Sequence, residues 1–182
     1  MHRQSRARST GATGFTLVEL AITLSILAIA CAMAFPSFLG LIRSNRLSTA
    51  ANEVVVALQT ARSEAIKLNG AVSVCRSEDA TNCASGGAWT GLIIVDRGGN
   101  VLRVMSLGTS LEVQSDAALS ALDDTVTFGA DGIAHASNGA PVAATLSICM
   151  PVSNPSDNIR QVVITGGSRI SVTRASGGGA CS

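Results

Sequence analysis

Apolar residues form one long run near the start of the chain, from residue 15 to residue 42. Within its 28 residues the single charge is Glu19, and the next charged residue is Arg43. As an α-helix the run would extend about 42 Å at about 1.5 Å per residue, more than the roughly 30 Å of a bilayer's hydrocarbon core. The pattern therefore predicts a membrane-spanning helix over residues 15–42.

Beyond residue 42 the pattern becomes amphipathic and predicts that the helix continues to residue 69. Apolar side chains recur in steps of three and four, which places them on one face of a helix. This stripe consists of Leu47, Ala51, Val54, Leu58, Ala61, Ala65 and Leu68. Its small residues indicate close packing against a sheet. Asn69 and Gly70 supply a stop signal, whereas Pro36 predicts a kink in the apolar half, not an end.

After Gly70 the pattern changes to short strands separated by Gly, Asn, Asp and Pro turns. The predicted strands are residues 71–76, 91–96, 101–107, 125–128, 145–150, 161–165 and 169–173. A long helix followed by antiparallel strands favours an α+β fold, with the C-terminal half of the helix laid on the sheet. The sequence thus predicts one globular domain over residues 43–182, with strands within 71–174 and a tail at 175–182.

Charge indicates how the chain is oriented. Arg3, Arg6 and Arg8 precede the apolar run without any acidic residue, so the positive-inside rule keeps this leader cytoplasmic and the domain across the membrane. Without those three arginines, ten basic residues stand against twelve acidic ones, a net charge near −2. Such a body lacks the basic excess that is typical of nucleic-acid-binding domains.

Glu19 distinguishes among the kinds of N-terminal segment that this basic leader and apolar run could form. An ordinary signal peptide has an apolar core of about 7–15 residues, shorter than the run seen here. A plain signal anchor fits the length but gives no reason for Glu19. An ionised carboxylate in hydrocarbon costs several kcal/mol, so Glu19 either has a function there or reaches the headgroups from near the helix start.

The segment Gly14-Phe-Thr-Leu-Val-Glu19, with its basic leader and apolar continuation, resembles the processing site of type IV pilins and type II secretion pseudopilins. The resemblance implies that a prepilin peptidase removes residues 1–14 by cutting after Gly14 and then methylates Phe15. It also implies that Glu19 pairs with the Phe15 amine of a neighbouring subunit during assembly. In low dielectric such a match is valuable only when both charges are paired.

Features of the rest of the chain resemble the minor-pilin and pseudopilin group that includes GspH, FimT and FimU. They are the helix phrase 61–65, the loop from Cys75 to Cys83, Trp89-Thr-Gly91 before a strand that ends in Asp96, Phe128 before Asp131-Gly132, and Cys149 at a strand end. Together they favour the pilus members with two cysteine pairs.

Cysteine usage agrees with export to an oxidising compartment. Cys31 lies in the membrane helix, where it packs as a small apolar residue. The other four cysteines allow three pairings, of which positions along the chain favour Cys75–Cys83 and Cys149–Cys181. The first bridge would close a polar loop, and the second would hold a Gly-rich tail that nothing else orders. A metal site is disfavoured, because no Cys-x-x-Cys spacing occurs and the two histidines are isolated.

The sequence presents no catalytic constellation, no phosphate loop and no cofactor motif, so an enzyme is not expected. Asp123-Asp124 is interpreted as a solvated loop in preference to a metal site. Some proteins that resemble this one bind DNA through an Arg-rich segment near the C-terminus. Here Arg160, Arg169 and Arg174 are the candidates for such an edge, but Ser171 stands where a second motif arginine would be expected. Ordinary surface arginines are the favoured interpretation.

The sequence as a whole predicts a minor pilin that helps to initiate or cap a type IV pilus. Its expected partners are other major and minor pilins, the prepilin peptidase and the inner-membrane assembly platform. It is expected to cross the bacterial inner membrane once, with a periplasmic domain, before it enters the pilus. Two alternatives remain open: a type II secretion pseudopilin H, and a DNA receptor for natural transformation.

Overall fold

The structure is a computed structural model that describes residues 14–136 and 138–181. Residues 1–13 of the predicted leader, with Arg3, Arg6 and Arg8, lie outside the described residues. The chain divides into two compact units, Met1–Phe38 and Leu39–Ser182. One helix, α1 (Leu17–Leu68), contributes residues to both units, and each unit is described here by itself.

The first unit is the apolar part of α1. Its composition and length satisfy the requirements for a membrane span, and none of the residues in its most apolar window is buried by the rest of the chain. The helical assignment continues past position 36, so Pro36 does not end the helix, as the sequence predicts. The kink at that point stays a prediction.

The second unit combines the C-terminal half of α1 with two antiparallel sheets. The strands are β1 (Val72–Ser77), β2 (Gly91–Asp96), β3 (Val101–Ser106), β4 (Glu112–Ser115), β5 (Thr125–Phe128), β6 (Ala134–His135), β7 (Ala144–Cys149), β8 (Ile159–Ile164) and β9 (Ile170–Ala175), with a short helix α2 (Ala117–Ser120) between β4 and β5. The strand order is β3-β2-β1-β5-β6 in one sheet and β4-β7-β8-β9 in the other. The α+β prediction is confirmed.

All seven predicted strands are present, with boundaries that differ by no more than two residues at either end. Two strands and α2 are missing from the prediction. Strand β4 carries one buried apolar residue, Val113, among polar ones, and β6 has only two residues. Segments this short carry too little periodicity to be recognised from the sequence.

The stripe on α1 is the centre of the hydrophobic core. Leu47, Ala51, Val54, Leu58, Ala61 and Ala65 are all buried, and Ala50 and Ala57 join them. Methyl side chains at these positions let the sheets approach the helix closely. Leu68, which the stripe includes, is half-exposed, because the helix ends there.

The C-terminus of α1 is closed by a Schellman motif. Asn69 has a positive φ of 46°, its N–H donates to the carbonyl of Ile66, and the N–H of Gly70 donates to the carbonyl of Ala65. The stop signal therefore acts through Asn69, which takes the left-handed position, and Gly70 supplies the second hydrogen bond.

Ser168 joins the two sheets and the helix. It lies in the β8–β9 turn and is buried, and its Oγ accepts a hydrogen bond from the N–H of Ala134 in β6 at 2.6 Å. Its carbonyl accepts a longer bond, 3.4 Å, from Nη1 of Arg62 on α1. Gly132 is packed against the same part of the helix, since a Cβ there would lie 2.9 Å from Cδ1 of Ile66. One buried serine thus links three elements that are distant along the chain.

Disulfides join Cys75 to Cys83 and Cys149 to Cys181, the pairing that chain position favours. The tail is not held by the second bridge alone, contrary to the expectation. Strand β9 extends to Ala175, and Asn158 donates to the carbonyl of Ala180 and accepts from the N–H of Gly177. Gln114 donates to the carbonyl of Cys181. Hydrogen bonds therefore order the tail together with the disulfide.

We expect Ser168→Ala to lower the free energy of unfolding by about 1–3 kcal/mol, because the buried N–H of Ala134 loses its acceptor. Ser171→Ala is the matched control. Ser171 is half-buried on β9, its hydroxyl bonds no described residue, and the change should stay within about 0.5 kcal/mol. Urea unfolding of the full chain in detergent, followed by circular dichroism, measures both. Equal midpoints for the two variants would contradict the role of Ser168.

Candidate functional site

The junction between Gly14 and Phe15 lies immediately before the first turn of α1. A Cβ at Gly14 would meet no atom within 4 Å, and Phe15 is 81% exposed. Thr16 caps the helix: its Oγ1 accepts from the N–H of Glu19 at 3.2 Å, and its carbonyl accepts from the N–H of Leu20. The peptide bond after Gly14 is therefore open to another molecule, and helical structure begins just behind it.

Glu19 is the third residue of the helix, on its first turn. Its side chain is exposed and makes no ion pair or hydrogen bond within the described part of the chain. The spacing from Thr16 is that of a capping box, and the positive end of the helix dipole favours a carboxylate at this place. The structure thus presents an acid without a described partner four residues after the Gly14–Phe15 junction.

The apolar side of this unit is uncovered. Its large apolar side chains that are more than half exposed are Phe15, Leu17, Val18, Leu20, Ile22, Leu24, Ile26, Leu27, Ile29, Met33, Phe35 and Phe38. Cys31 is exposed on the same helix and forms no disulfide. An uncovered apolar surface of this length requires a lipid or protein environment.

Arg160 is buried, so it is neither the candidate DNA contact nor the ordinary surface arginine expected from the sequence. Its side chain is only 1% exposed and points from β8 toward α1, where Nη2 donates to Oγ of Ser44 at 2.9 Å and Nε donates to Oγ of Ser48. Nη1 donates to the carbonyls of Asp157 and Ile159, and an ion pair with the Asp157 carboxylate completes the arrangement. A guanidinium enclosed in this way cannot contact a DNA phosphate; it fastens the helix to the sheet.

Burial lowers the pKa of Arg160, the carboxylate of Asp157 opposes that shift, and the nearby Arg174 adds to it. An arginine begins from so high a pKa that it stays charged at neutral pH. The buried charge is therefore matched by Asp157 and by the oxygen atoms around it, as a buried cation requires.

Arg169 and Arg174 are exposed, as a nucleic-acid contact would require, but they do not form a cluster. Arg174 lies opposite Arg160 in the β8–β9 ladder and pairs with Asp157 at 3.5 Å. Arg169 lies five residues earlier, about 16 Å along a strand at about 3.3 Å per residue. The three arginines do not converge on one edge.

Asp123 is exposed, as its interpretation as part of a solvated loop predicts, but Asp124 is not. Asp124 is buried, accepts hydrogen bonds from Oγ of Ser115 and from the N–H of Gly86, and has a positive φ of 53°. Nε1 of Trp89 donates to the same Ser115 hydroxyl. Asp124 therefore fastens the loop that follows the first disulfide. No sequence pattern shows this network, because its members come from three separate segments.

His135 and Asp131 form a second polar pair that the sequence does not reveal. Nε2 of His135 lies 2.8 Å from Oδ2 of Asp131, and Nδ1 contacts the carbonyl of Gly139. The contact with Asp131 raises the pKa of His135, whereas the Ile133 N–H and then His135 lower the pKa of Asp131. Both ring nitrogens are engaged, so the pair braces a turn. In the described part of the chain, no three His, Cys, Asp or Glu residues are grouped to hold a metal ion.

Comparison with known families adds two matches. The family model described as type II transport protein GspH matches residues 50–168, which is more than half of the chain. The model of the prokaryotic N-terminal methylation motif matches residues 10–35, the segment that contains Gly14, Phe15 and Glu19. A search of curated proteins gave no match.

Solved structures give the same result. Two crystal structures of the type IV minor pilin FimU from Pseudomonas aeruginosa are similar to this chain, one with 28% identity and a TM-score of 0.54 over 71% of this chain and 90% of that one. The other has 29% identity and a TM-score of 0.51 over 70% and 92%. The pseudopilin EpsH of the Vibrio cholerae type 2 secretion system, at 13% identity and a TM-score of 0.50 over 71% and 97%, shares the fold. With its family model, its methylation motif and its fold in agreement, the chain belongs to the GspH family of minor pilins and pseudopilins, which are structural subunits and not enzymes.

Proposed function

We propose that this chain is a minor pilin of a type IV pilus that enters the filament through its N-terminal helix and helps to initiate or cap assembly. Pilus biogenesis and twitching motility would then depend on it. The observation that carries the proposal is the first turn of α1. An unpaired Glu19 stands there beside an open Gly14–Phe15 junction, at the start of an uncovered apolar helix.

Processing is the first step. Prepilin peptidase would cut after Gly14, where the absence of a side chain leaves the peptide bond accessible, and would methylate the amine of Phe15. Removal of residues 1–14 takes away the three leader arginines that hold this end on the cytoplasmic side. The Thr16 cap supports this model, because the helix begins after the cut and its capping residue is kept.

Assembly is the second step. The new amine of Phe15 is a cation at the edge of the hydrocarbon, and Glu19 of a neighbouring subunit is an anion there. Either charge alone costs several kcal/mol in that environment, whereas the pair is favourable when geometry and hydrogen bonds are good. Correct docking thus neutralises both charges, which favours one register of the helices in the filament.

The proposed location follows from the same features. The subunit would cross the bacterial inner membrane once, with its domain in the periplasm, where the two disulfides form, and would then move into the pilus. Its partners would be other major and minor pilins, together with the inner-membrane assembly platform. The methylation motif and the apolar helix support membrane anchoring.

A pseudopilin H of a type II secretion system is the first alternative, because the matching family model carries that description. The pilus is preferred on sequence identity, which is 28–29% with the minor pilin FimU and 13% with the pseudopilin EpsH. A DNA receptor for natural transformation is the second alternative. It is disfavoured because Arg160 is buried and Arg174 is partly engaged by Asp157.

Glu19→Ala should reduce incorporation of this protein into sheared pili at least tenfold, because 1.4 kcal/mol of lost pairing already corresponds to a factor of ten. Its amount in the membrane and its leader cleavage should stay unchanged. Glu112→Gln, an exposed acid on β4 with no ion pair among the described residues, is the control and should behave as wild type. Normal incorporation of Glu19→Ala, measured by immunoblot, would contradict the assembly role.

A clean deletion strain distinguishes the three functions. We expect loss of surface pili by electron microscopy and of twitching, with normal exoprotein secretion, because a missing minor pilin impairs initiation of the filament. Normal piliation with lost secretion would support the pseudopilin. Lost transformation in normally piliated cells would support the DNA receptor.

Arg160→Ala should lower the free energy of unfolding by about 2–4 kcal/mol, since a buried side chain and its hydrogen bonds are removed together. Arg174→Ala, the matched exposed arginine, should cost less than about 1 kcal/mol. Denaturant unfolding of the full chain in detergent measures the difference. Similar losses for both variants, or salt-dependent DNA binding that only Arg160→Ala abolishes without unfolding, would contradict a structural role for Arg160.

A further inference from the structure

An open groove of about 620 Å³ lies between α1 and the β3–β4 loop in the second unit. Its helical wall runs from Ile42, the last residue of the apolar run, to Glu53. Its other wall is formed by Ser106 at the end of β3 and by the loop residues Gly108, Thr109, Ser110 and Leu111. The groove therefore begins where the membrane-spanning sequence ends and extends along the helix away from it.

The two arginines that follow the apolar run have different roles. Arg43 is half-buried, and its Nη1 donates to the carbonyl of Asn154 at 3.0 Å. Arg46 is exposed in the groove and has no hydrogen bond or ion pair with any described residue. Arg46 lies about one helical turn beyond Ile42, and helical side chains tilt toward the N-terminus of the helix, which here is the membrane side. Its guanidinium is therefore available to an anion from another molecule.

Four side chains with hydroxyl groups line the same groove as Arg46. They are Thr49 on the helix, Ser106 at the end of β3, and Thr109 and Ser110 on the loop, and they make no hydrogen bond with a described residue. Guanidinium and hydroxyl donors together suit the oxygens of a phosphate group, and charge-assisted bonds of this kind are the strong ones.

Glu53 gives the groove a second charge of opposite sign. It is seven residues after Arg46, which is nearly two turns, so both lie on one face of the helix and about 10 Å apart along it. Glu53 is half-buried and makes no ion pair within the described part of the chain. From the membrane end outward, the groove therefore presents a cation and then an anion.

We propose that this groove binds the headgroup of a zwitterionic aminophospholipid such as phosphatidylethanolamine. The phosphate lies at Arg46 and its hydroxyl neighbours, and the ammonium points toward Glu53. In such a lipid the phosphate is nearer the acyl chains and the ammonium is farther out, which matches the order of charges along the helix. The inference rests on the membrane anchoring in the proposed function. It would give the subunit a specific lipid contact before it enters the pilus.

Native mass spectrometry of the full chain in detergent, with phosphatidylethanolamine, phosphatidylglycerol or phosphatidylcholine added, tests this. We expect one retained phosphatidylethanolamine, and at least tenfold weaker retention in Arg46→Ala. Arg97→Ala, an exposed and unpaired arginine in the β2–β3 turn, is the matched control and should retain the lipid as wild type does. Free phosphoethanolamine at millimolar concentration should not displace the lipid, because its acyl chains are missing. Its displacement would show a soluble phosphate site and overturn the proposal.

Glu53→Gln tests the ammonium end. It should remove the preference for phosphatidylethanolamine over phosphatidylglycerol while retention of phosphatidylglycerol stays the same. Equal retention in Arg46→Ala and Arg97→Ala, or no effect of Glu53→Gln, would overturn the proposal. A third outcome would also overturn the proposal. If Arg46→Ala retains the lipid but no longer co-purifies with other pilins, the groove binds a neighbouring subunit and not a lipid.

Incorporation of the chain into lipid nanodiscs is measured in parallel. A chain that does not enter nanodiscs contradicts the proposed membrane function itself. A chain that enters them but shows no lipid preference contradicts the lipid site alone.

Discussion

The fold depends on one helix, α1, whose two parts differ in how far the rest of the chain covers them. The part of α1 within the first unit leaves its apolar side chains uncovered, whereas the part after Leu39 supplies the middle of a hydrophobic core. Two sheets cover the second part, and in the proposed function lipid or neighbouring helices would cover the first. The helical assignment is continuous from Leu17 to Leu68, so both units share this one helix.

Three buried polar side chains of the second unit have hydrogen-bond partners on other elements. Arg160 is held by two serines of α1 and by Asp157, Ser168 bridges β6 and the helix, and Asp124 receives hydrogen bonds from Ser115 and Gly86. Loss of one of these contacts would leave a buried polar group without a partner, which lowers the free energy of unfolding by about 1–3 kcal/mol. The small helical residues Ala61 and Ala65 are both buried and leave room for the sheets.

Three of the charged side chains that the described part of the chain does not pair lie within or shortly after the apolar run. Glu19 stands at the start of the apolar helix, and Arg46 and Glu53 line the groove just beyond the apolar run. Arg160, a candidate DNA contact in the sequence, is instead buried inside the domain. We have proposed a neighbouring subunit's amine as the partner of Glu19, and a lipid headgroup as the partner of Arg46 and Glu53.

Features that depend only on neighbours along the chain can be predicted from the sequence. The apolar run, the amphipathic stripe, the Asn69 stop and seven of the strands follow from local periodicity and turn chemistry, and the Gly14–Glu19 segment is a contiguous motif. Which polar residues are buried depends on tertiary contacts and cannot be predicted from local sequence. Arg160, Ser168 and Asp124 look like surface residues in their own segments, because their partners lie on other elements. Strands β4 and β6 likewise form because a neighbouring strand offers its edge, since segments so short have no independent stability.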